Sequence, residues 1–324
     1  MINKKLYLVV FIVSLGVLFF LNTSNKKMVT PSDKILLGYE LENSSNLNEK
    51  IIRKGNYIYY SLKHYLSIFF YIIENKKASK DLTVQKNENN ITRLIAHAGG
   101  SINNYIYTDS LEALNYNYKK GFRYFELDIR VTSDGVFVAV HDWDEWKLHS
   151  SYNGSIPPTL KEFKKHKLYS QYTMMDIDDI NQWFTKHRDA HLITDKTNQP
   201  KIFSEYFIDK SRLSMELFSW KAVYEGIKEG VDVMPTWSIL SSLHHYPVAK
   251  LLDLNINKIA ANRNIYNSNK SLLDQLLKNG IHVYAYNIKE EDVKVVICEQ
   301  RNYFYGIYLD KLNLNTIFNC QDYN

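Results

Sequence analysis

From Arg93 onward, short runs of β-branched and aromatic residues alternate with helical stretches. The strand candidates are RLIAH (93–97), YFELDIRV (124–131), VFVAVH (136–141), LITD (192–195) and LSMELF (213–218). VDVMPTW (231–237), NKIAANR (257–263), HVYAYNI (282–288) and GIYLD (306–310) continue the series. Between them lie the helical patterns SLEALNYNYKKG (110–121), KAVYEGIKEG (221–230) and NKSLLDQLLKNG (269–280), each ending in the glycine that commonly stops a helix. This alternation predicts βα units around a parallel sheet. About eight units in about 230 residues fit an α/β fold of the (β/α)8 TIM-barrel type better than an open doubly wound sheet. No phosphate-cradling glycine loop follows any of the strands, which weakens the open-sheet alternative.

The region before Arg93 has a different pattern. Lys4 and Lys5 precede an unbroken apolar run from Leu6 to Leu21, and no small-x-small cleavage site follows it. Its length and lack of a polar face predict an uncleaved N-terminal transmembrane anchor over residues 1–24, with a cleaved signal as the alternative. Residues 25–90 are rich in Asn, Lys and Ser and read as a linker. It holds one aromatic block, Asn56 to Ile73, suited either to a membrane interface or to packing on the body or a second subunit. The third segment, 91–324, carries the barrel pattern. A tail of only five residues before the apolar run favours an extracytoplasmic body.

Composition narrows the partners. The chain is 45% hydrophobic and 23% charged, with 12 Gly and 6 Pro among its 324 residues, so it is neither collagenous nor globally disordered. Its net charge of +5 is uneven: residues 1–90 hold 13 Lys+Arg against 7 Asp+Glu, and the remainder 27 against 28. The basic surplus therefore belongs to the segment expected at the membrane, and no nucleic acid is expected as a partner of the body. Two cysteines, Cys298 and Cys320, exclude a Cys-based zinc module; a bridge between them is possible but not indicated. The oligomeric state is not encoded in any readable pattern.

Polar residues gather where strand candidates end. His97 closes the first. Glu126 and Asp128 sit two apart in YFELDIR, so both point to one face while Leu127 turns away. His141 closes VFVAVH beyond a Ser133-Asp134-Gly135 turn, and Asp195 ends LITD. Two carboxylates aimed into a barrel mouth need a positive partner. A hard divalent cation, Mg²⁺ or Ca²⁺, supplies one, with Asp195 as third ligand. Two imidazoles beside such an ion suit phosphodiester chemistry, one taking a proton from the attacking oxygen and the other giving one to the leaving oxygen.

The segments AHAGG and TDSLEALNYNYKKGFRYFELDIRVTSDGVFVAVHDW resemble the signature of the glycerophosphodiester phosphodiesterases. That family is a TIM barrel related to the phosphatidylinositol-specific phospholipases C and the sphingomyelinase D-type toxins. The resemblance is dense from Leu94 to Trp143 and thinner through 157–163, 192–197, 283–288 and 305–310; it does not reach residues 1–90. It implies a phosphoric diester hydrolase in which His97 and His141 are the acid/base pair and Glu126, Asp128 and Asp195 hold the metal. The implied substrate is a glycerophosphodiester, a lysolipid or a glycan-linked phosphodiester, opened through a cyclic phosphate. The family's Arg after the first His is Ala98 here, and its Glu-Asn-Thr is Thr108-Asp109-Ser110. Its Glu-x-Lys becomes Asp195-Lys196, which makes Lys196 the candidate phosphate-binding cation, acting from a strand-end loop. Two other readings use the same barrel: a phosphotransferase that stops at the cyclic phosphate, and a non-catalytic binding protein. Trp143, Trp146 and Trp237 follow strand ends and could line the mouth. For Asp310, a structural place on the rim is favoured.

Overall fold

The structure, a computed structural model, describes residues 94–243, 247–311 and 320. The chain divides into two units between Lys86 and Asn87, and every described residue belongs to the second. The expected anchor (1–24) and the aromatic block (56–73) lie outside the described residues, as does the rest of the linker. Among the described residues no helix is long and apolar enough to cross a membrane.

Among the described residues nine strands form: β1 (Leu94–Ala96), β2 (Tyr124–Val131), β3 (Phe137–Ala139), β4 (His191–Asp195), β5 (Leu213–Leu217), β6 (Asp232–Pro235), β7 (Lys258–Asn262), β8 (His282–Tyr286) and β9 (Gly306–Leu309). Eight of them run parallel in the order β6-β5-β4-β2-β1-β9-β8-β7. A parallel bridge from Thr236 to Ala260 brings the two edges together, giving the nearly closed eight-stranded cylinder of a TIM barrel. The ninth run departs from the barrel pattern. β3 folds back antiparallel on β2, pairing Ile129 with Ala139 and Val131 with Phe137. An apolar run of this length announces a strand but not its partner.

Side-chain alternation sorts the interior. On β2, Phe125, Leu127 and Ile129 join the main core between sheet and helices, while Glu126 and Asp128 face the other way. Inside the cylinder Ile95, Ile193, Met234, Ala260 and Tyr308 form a small cluster of their own. The helix α1 (Leu111–Lys119) starts at Ser110, whose hydroxyl accepts the Ala113 N–H. Gly121 just beyond it has φ of 105°, a left-handed stop for which no Cβ is required. The helix α2 (Trp143–His149) is capped by Asp142, which accepts from the Asp144 and Glu145 N–H groups. Cys298 and Cys320, left open by the sequence, form a disulfide.

Candidate active site

β1 ends at Ala96 and the chain turns at once through His97, Ala98 and Gly99. The turn is tight: Ala98 has φ of 47°, and Gly100 has φ of 82°. A Cβ on Gly100 would stand 2.5 Å from the Asn117 amide. That amide donates to the carbonyls of Gly99 (2.9 Å), Ser101 (3.1 Å) and Ala113 (3.0 Å), binding the turn to α1. The geometry brings the Ala98 N–H onto Glu126 Oε2 at 2.7 Å and leaves the His97 ring at the mouth. His97 Nδ1 lies 3.1 Å from Asp310 Oδ1, just past β9. Asp310 is therefore more than a rim residue, the role favoured from sequence; it orients an imidazole 213 positions away.

Glu126, Asp128 and Asp195 converge. Asp128 of β2 stands opposite Asp195 of β4 in the parallel register, so both carboxylates point the same way. One oxygen from each of the three lies within 4.8 Å of the others. Glu126 and Asp128 are both 2% exposed. Glu126 Oε1 and Asp128 Oδ2 are buried with no hydrogen-bond partner. Asp109 is a fourth buried carboxyl at this place. Its Oδ1 accepts the Asp128 N–H at 3.0 Å, and its Oδ2 is also without a partner.

Burial dominates the titration of this cluster. It pushes Glu126 well above the ordinary carboxyl range, reinforced by the charges of Asp128, Asp195 and Asp109. Asp109 is driven well upward by burial and then by Asp128. Asp128 is also raised, by burial and Asp195, but Lys196, His141 and His97 oppose the rise. Orphaned oxygens on carboxylates this close to one another are costly unless a cation is shared among them. The oxygen-only donor set suits a hard divalent ion such as Mg²⁺ or Ca²⁺, so the residues present fit that group.

Lys196 follows Asp195 directly, and neighbouring strand residues should face opposite sides. The strand has ended, however: Lys196 adopts φ of 62°, which turns its side chain back to the mouth. Its Nζ lies 3.1 Å from Asp195 Oδ2 and 3.4 Å from Asp128 Oδ1. Burial alone would lower its pKa, but Asp128 and Asp195 outweigh that and hold it above the usual lysine value.

His141 sits on the opposite flank, past β3. Its Nδ1 is 3.3 Å from Glu145 Oε2, one turn into α2, and its carbonyl accepts from Arg130 Nε at 3.0 Å. Each histidine thus has a carboxylate on Nδ1, which leaves Nε2 for chemistry. Beside His141 opens a cavity of about 310 Å³ lined by Ile106, Tyr107, Trp146, Tyr169 and Met174 among others. Trp146 is buried there, while Trp143 and Trp237 pack partly buried against the two outer cores. Deeper in the barrel, Tyr308 donates to Glu216 of β5, whose carboxyl burial pushes well upward, with Asp195 adding to the rise.

Sequence reasoning missed Glu145, Asn117 and Glu216, and it named Asp310 and Asp109 without their contacts to His97 and to the Asp128 N–H. Glu145 had a usable signal, four residues after His141 on a helix beginning at Trp143. Glu216 had another, a lone charge at an inward position of an apolar strand.

Comparisons with known proteins bear on the family segment and on the fold. The model of the Glycerophosphoryl diester phosphodiesterase family matches residues 97–149, the span from the first histidine through β2, β3 and α2. No curated protein sequence matches the chain. A putative glycerophosphodiester phosphodiesterase from Galdieria sulphuraria is similar in structure, with 15% identity and a TM-score of 0.54 over 67% of this chain and 93% of that one. The corresponding enzyme from Thermotoga maritima gives 16%, 0.54, 67% and 94%. An Oleispira antarctica phosphodiesterase, solved in complex with the product sn-glycerol-3-phosphate, gives 16%, 0.56, 71% and 95%. At these identities the structural likeness establishes a shared fold; the family resemblance itself rests on residues 97–149.

Proposed function

We propose that the protein hydrolyses a glycerophosphodiester-like substrate with His97 and His141 as its proton-transfer pair. Phosphoric diester hydrolysis is the reaction class of the matched family, and the matched segment holds both histidines and two of the three clustered carboxylates. The single observation carrying the finer reading is the buried triad of Glu126, Asp128 and Asp195 with two orphaned oxygens, flanked by two imidazoles each held at Nδ1. The product complex of the Oleispira antarctica phosphodiesterase favours a glycerol phosphate on one side of the bond.

Glu126, Asp128 and Asp195 would hold a divalent cation, which supplies charge stabilisation at phosphorus when bound. The remaining work falls to the chain's own side chains. His97, with its Nδ1–H given to Asp310, presents an unprotonated Nε2 to the attacking hydroxyl and receives its proton. His141 carries a proton on Nε2 and delivers it to the departing oxygen, its Nδ1–H directed at Glu145. A neighbouring hydroxyl of the substrate is the attacking group, giving a cyclic phosphate. Water then opens the ring with the two histidines exchanging roles. Lys196, beside Asp128 and Asp195, is placed to grip a phosphate oxygen in place of the family's Arg, whose position is taken by buried Ala98. The Cys298–Cys320 bridge supports an extracytoplasmic body, because such bonds persist in oxidising compartments.

The test is an assay of the full chain with Mg²⁺ and with Ca²⁺ against a glycerophosphodiester panel, products followed by phosphorus NMR. A ring-opened monoester is the expected end product. A cyclic phosphate that persists would replace hydrolysis by phosphotransfer, and no turnover with any diester would remove the assignment.

A further inference from the structure

Tyr107 stands between the two histidines. Its ring stacks on His141, with centroids 4.7 Å apart and planes 25° apart, and meets His97 edge-on at 4.9 Å and 89°. Among the described residues it is the side chain whose ring contacts both imidazoles. The backbone that delivers it is strained. Tyr107 has φ of 56°, and Asn103, Asn104 and Asp109 in the same loop have φ of 50°, 67° and 48°. Left-handed residues of this size persist where their surroundings over-determine them, and such residues cluster at working sites.

The surroundings here are specific. Ile102 and Tyr105 close the loop with a pair of backbone hydrogen bonds of 2.9 and 2.8 Å. The Asp109 N–H donates to the Ala98 carbonyl at 3.2 Å, and its carboxyl accepts from the Asp128 N–H. The strain is thereby fastened to the turn that presents His97 and to the strand that presents Glu126 and Asp128. Burial, with the charges of Asp310, Asp128 and Glu126, pushes the Tyr107 hydroxyl above its ordinary value, so it stays protonated.

We propose that Tyr107 is a positioning residue whose ring sets the separation and tilt of the His97 and His141 imidazoles, so that both face one phosphorus. This rests on the acid/base reading above. The two histidines are not equally dependent on it. His97 keeps Asp310 at 3.1 Å and the edge-on Tyr308 ring at 5.9 Å when the Tyr107 ring is removed, whereas the carboxylate on His141 is the exposed Glu145 at 3.3 Å. Loss of the ring therefore releases His141 first. The working contact is the ring face and not the hydroxyl.

The experiment compares Tyr107→Phe and Tyr107→Leu in the full chain, measuring kcat, KM, calorimetric binding of Mg²⁺ or Ca²⁺, and Tm. Phe should stay within about threefold of wild type, and Leu should lose about 10²-fold in kcat, as displaced catalytic groups do. KM should change by less than about threefold and metal affinity by less than about twofold, because neither involves the ring contact. Should Leu fail to fold, Tyr107→Met is read in the same way. Full kcat in the non-aromatic variant overturns the proposal. So does a Phe variant as slow as Leu, which would make the hydroxyl the acting group, or a fall in kcat matched by metal affinity and Tm. His97→Ala and His141→Ala run alongside: dead histidine variants with a fully active Leu variant overturn the positioning role alone, and active histidine variants overturn the reading beneath it.

Discussion

The two ends of the barrel treat charge in opposite ways. Where the strands begin, Asp232 is met by Lys258 and by the Ser214 hydroxyl (2.6 Å), and Lys258 also reaches Ser214 (3.1 Å). His191 lies flat on Tyr124 at 4.7 Å and His282 on Tyr305 at 3.7 Å. Where the strands end, Asp109, Glu126, Asp128 and Asp195 crowd around one ammonium, and three of them carry a buried oxygen with no partner. A cluster whose charges are answered ties strands together. One left unanswered is kept for a ligand, which is the usual division between the two faces of this architecture.

The comparison can be broken most sharply by substitution at both ends. His97→Ala and His141→Ala should each lower turnover by about 10³-fold, the scale of lost acid–base catalysis, with little change in melting. A variant at the other end that slowed kcat as severely would erase the distinction. Next in size, Glu126→Gln should weaken calorimetric binding of Mg²⁺ or Ca²⁺ by about 100-fold. The same change should stabilise the metal-free protein by about 1 kcal/mol, the scale of one pKa unit, since it removes a buried like charge. Lys196→Met should act in the other direction on the metal, tightening binding by about tenfold as a competing ammonium disappears, while KM for the diester rises. Unchanged metal affinity there would mean that Lys196 does not compete.

The pH dependence follows from the same crowding. Glu126, Asp128 and Asp109 hold protons more tightly folded than unfolded. Their contribution is complete below the ordinary carboxyl range and is lost as pH rises through their raised values. The metal-free protein should therefore melt lower at pH 8 than at pH 5.5, and saturating Ca²⁺ should weaken the trend, with Glu216, also raised by burial, keeping its share. Asp209, held at about 2 by Ser211 and Arg212, titrates below this window. His191, lowered by burial, works against the trend, so the slope is read as wild type minus Asp109→Asn. A flat difference would remove the proton-holding account. The smallest effect is expected at the other end: Lys258→Ala should cost about 0.5 kcal/mol and leave kcat within twofold, as a partly exposed ion pair does.

Much of this was legible in the sequence because β2 writes its geometry openly. Apolar Phe125, Leu127 and Ile129 alternate with Glu126 and Asp128, and that alternation fixes both the buried face and the face of the mouth. Lys196 was legible for a related reason, since a residue after the last strand position is released from alternation. Asp310 was not, because its partner His97 lies at the other end of the body and nothing local marks a pairing across the β1–β9 junction. Tyr107 was hidden by composition: it is one of 25 tyrosines, and only its left-handed backbone and its two ring contacts separate it from the rest. The eight staves and the extra run at β3 were legible as strands, but β3's antiparallel partner on β2 was not, because a buried apolar run carries no mark of its direction.

The bridge from Thr236 to Ala260 carries a mechanical consequence. Among the described residues it is the single rung between β6 and β7, while every other neighbouring pair in the cylinder shares at least two. In the circular order of strands this loose seam lies diametrically across from the β1–β2 junction. Thermal breathing and amide exchange should concentrate there. The β2–β4 arc that bears Asp128 and Asp195, joined by five register pairs, should exchange its amides more slowly than that seam.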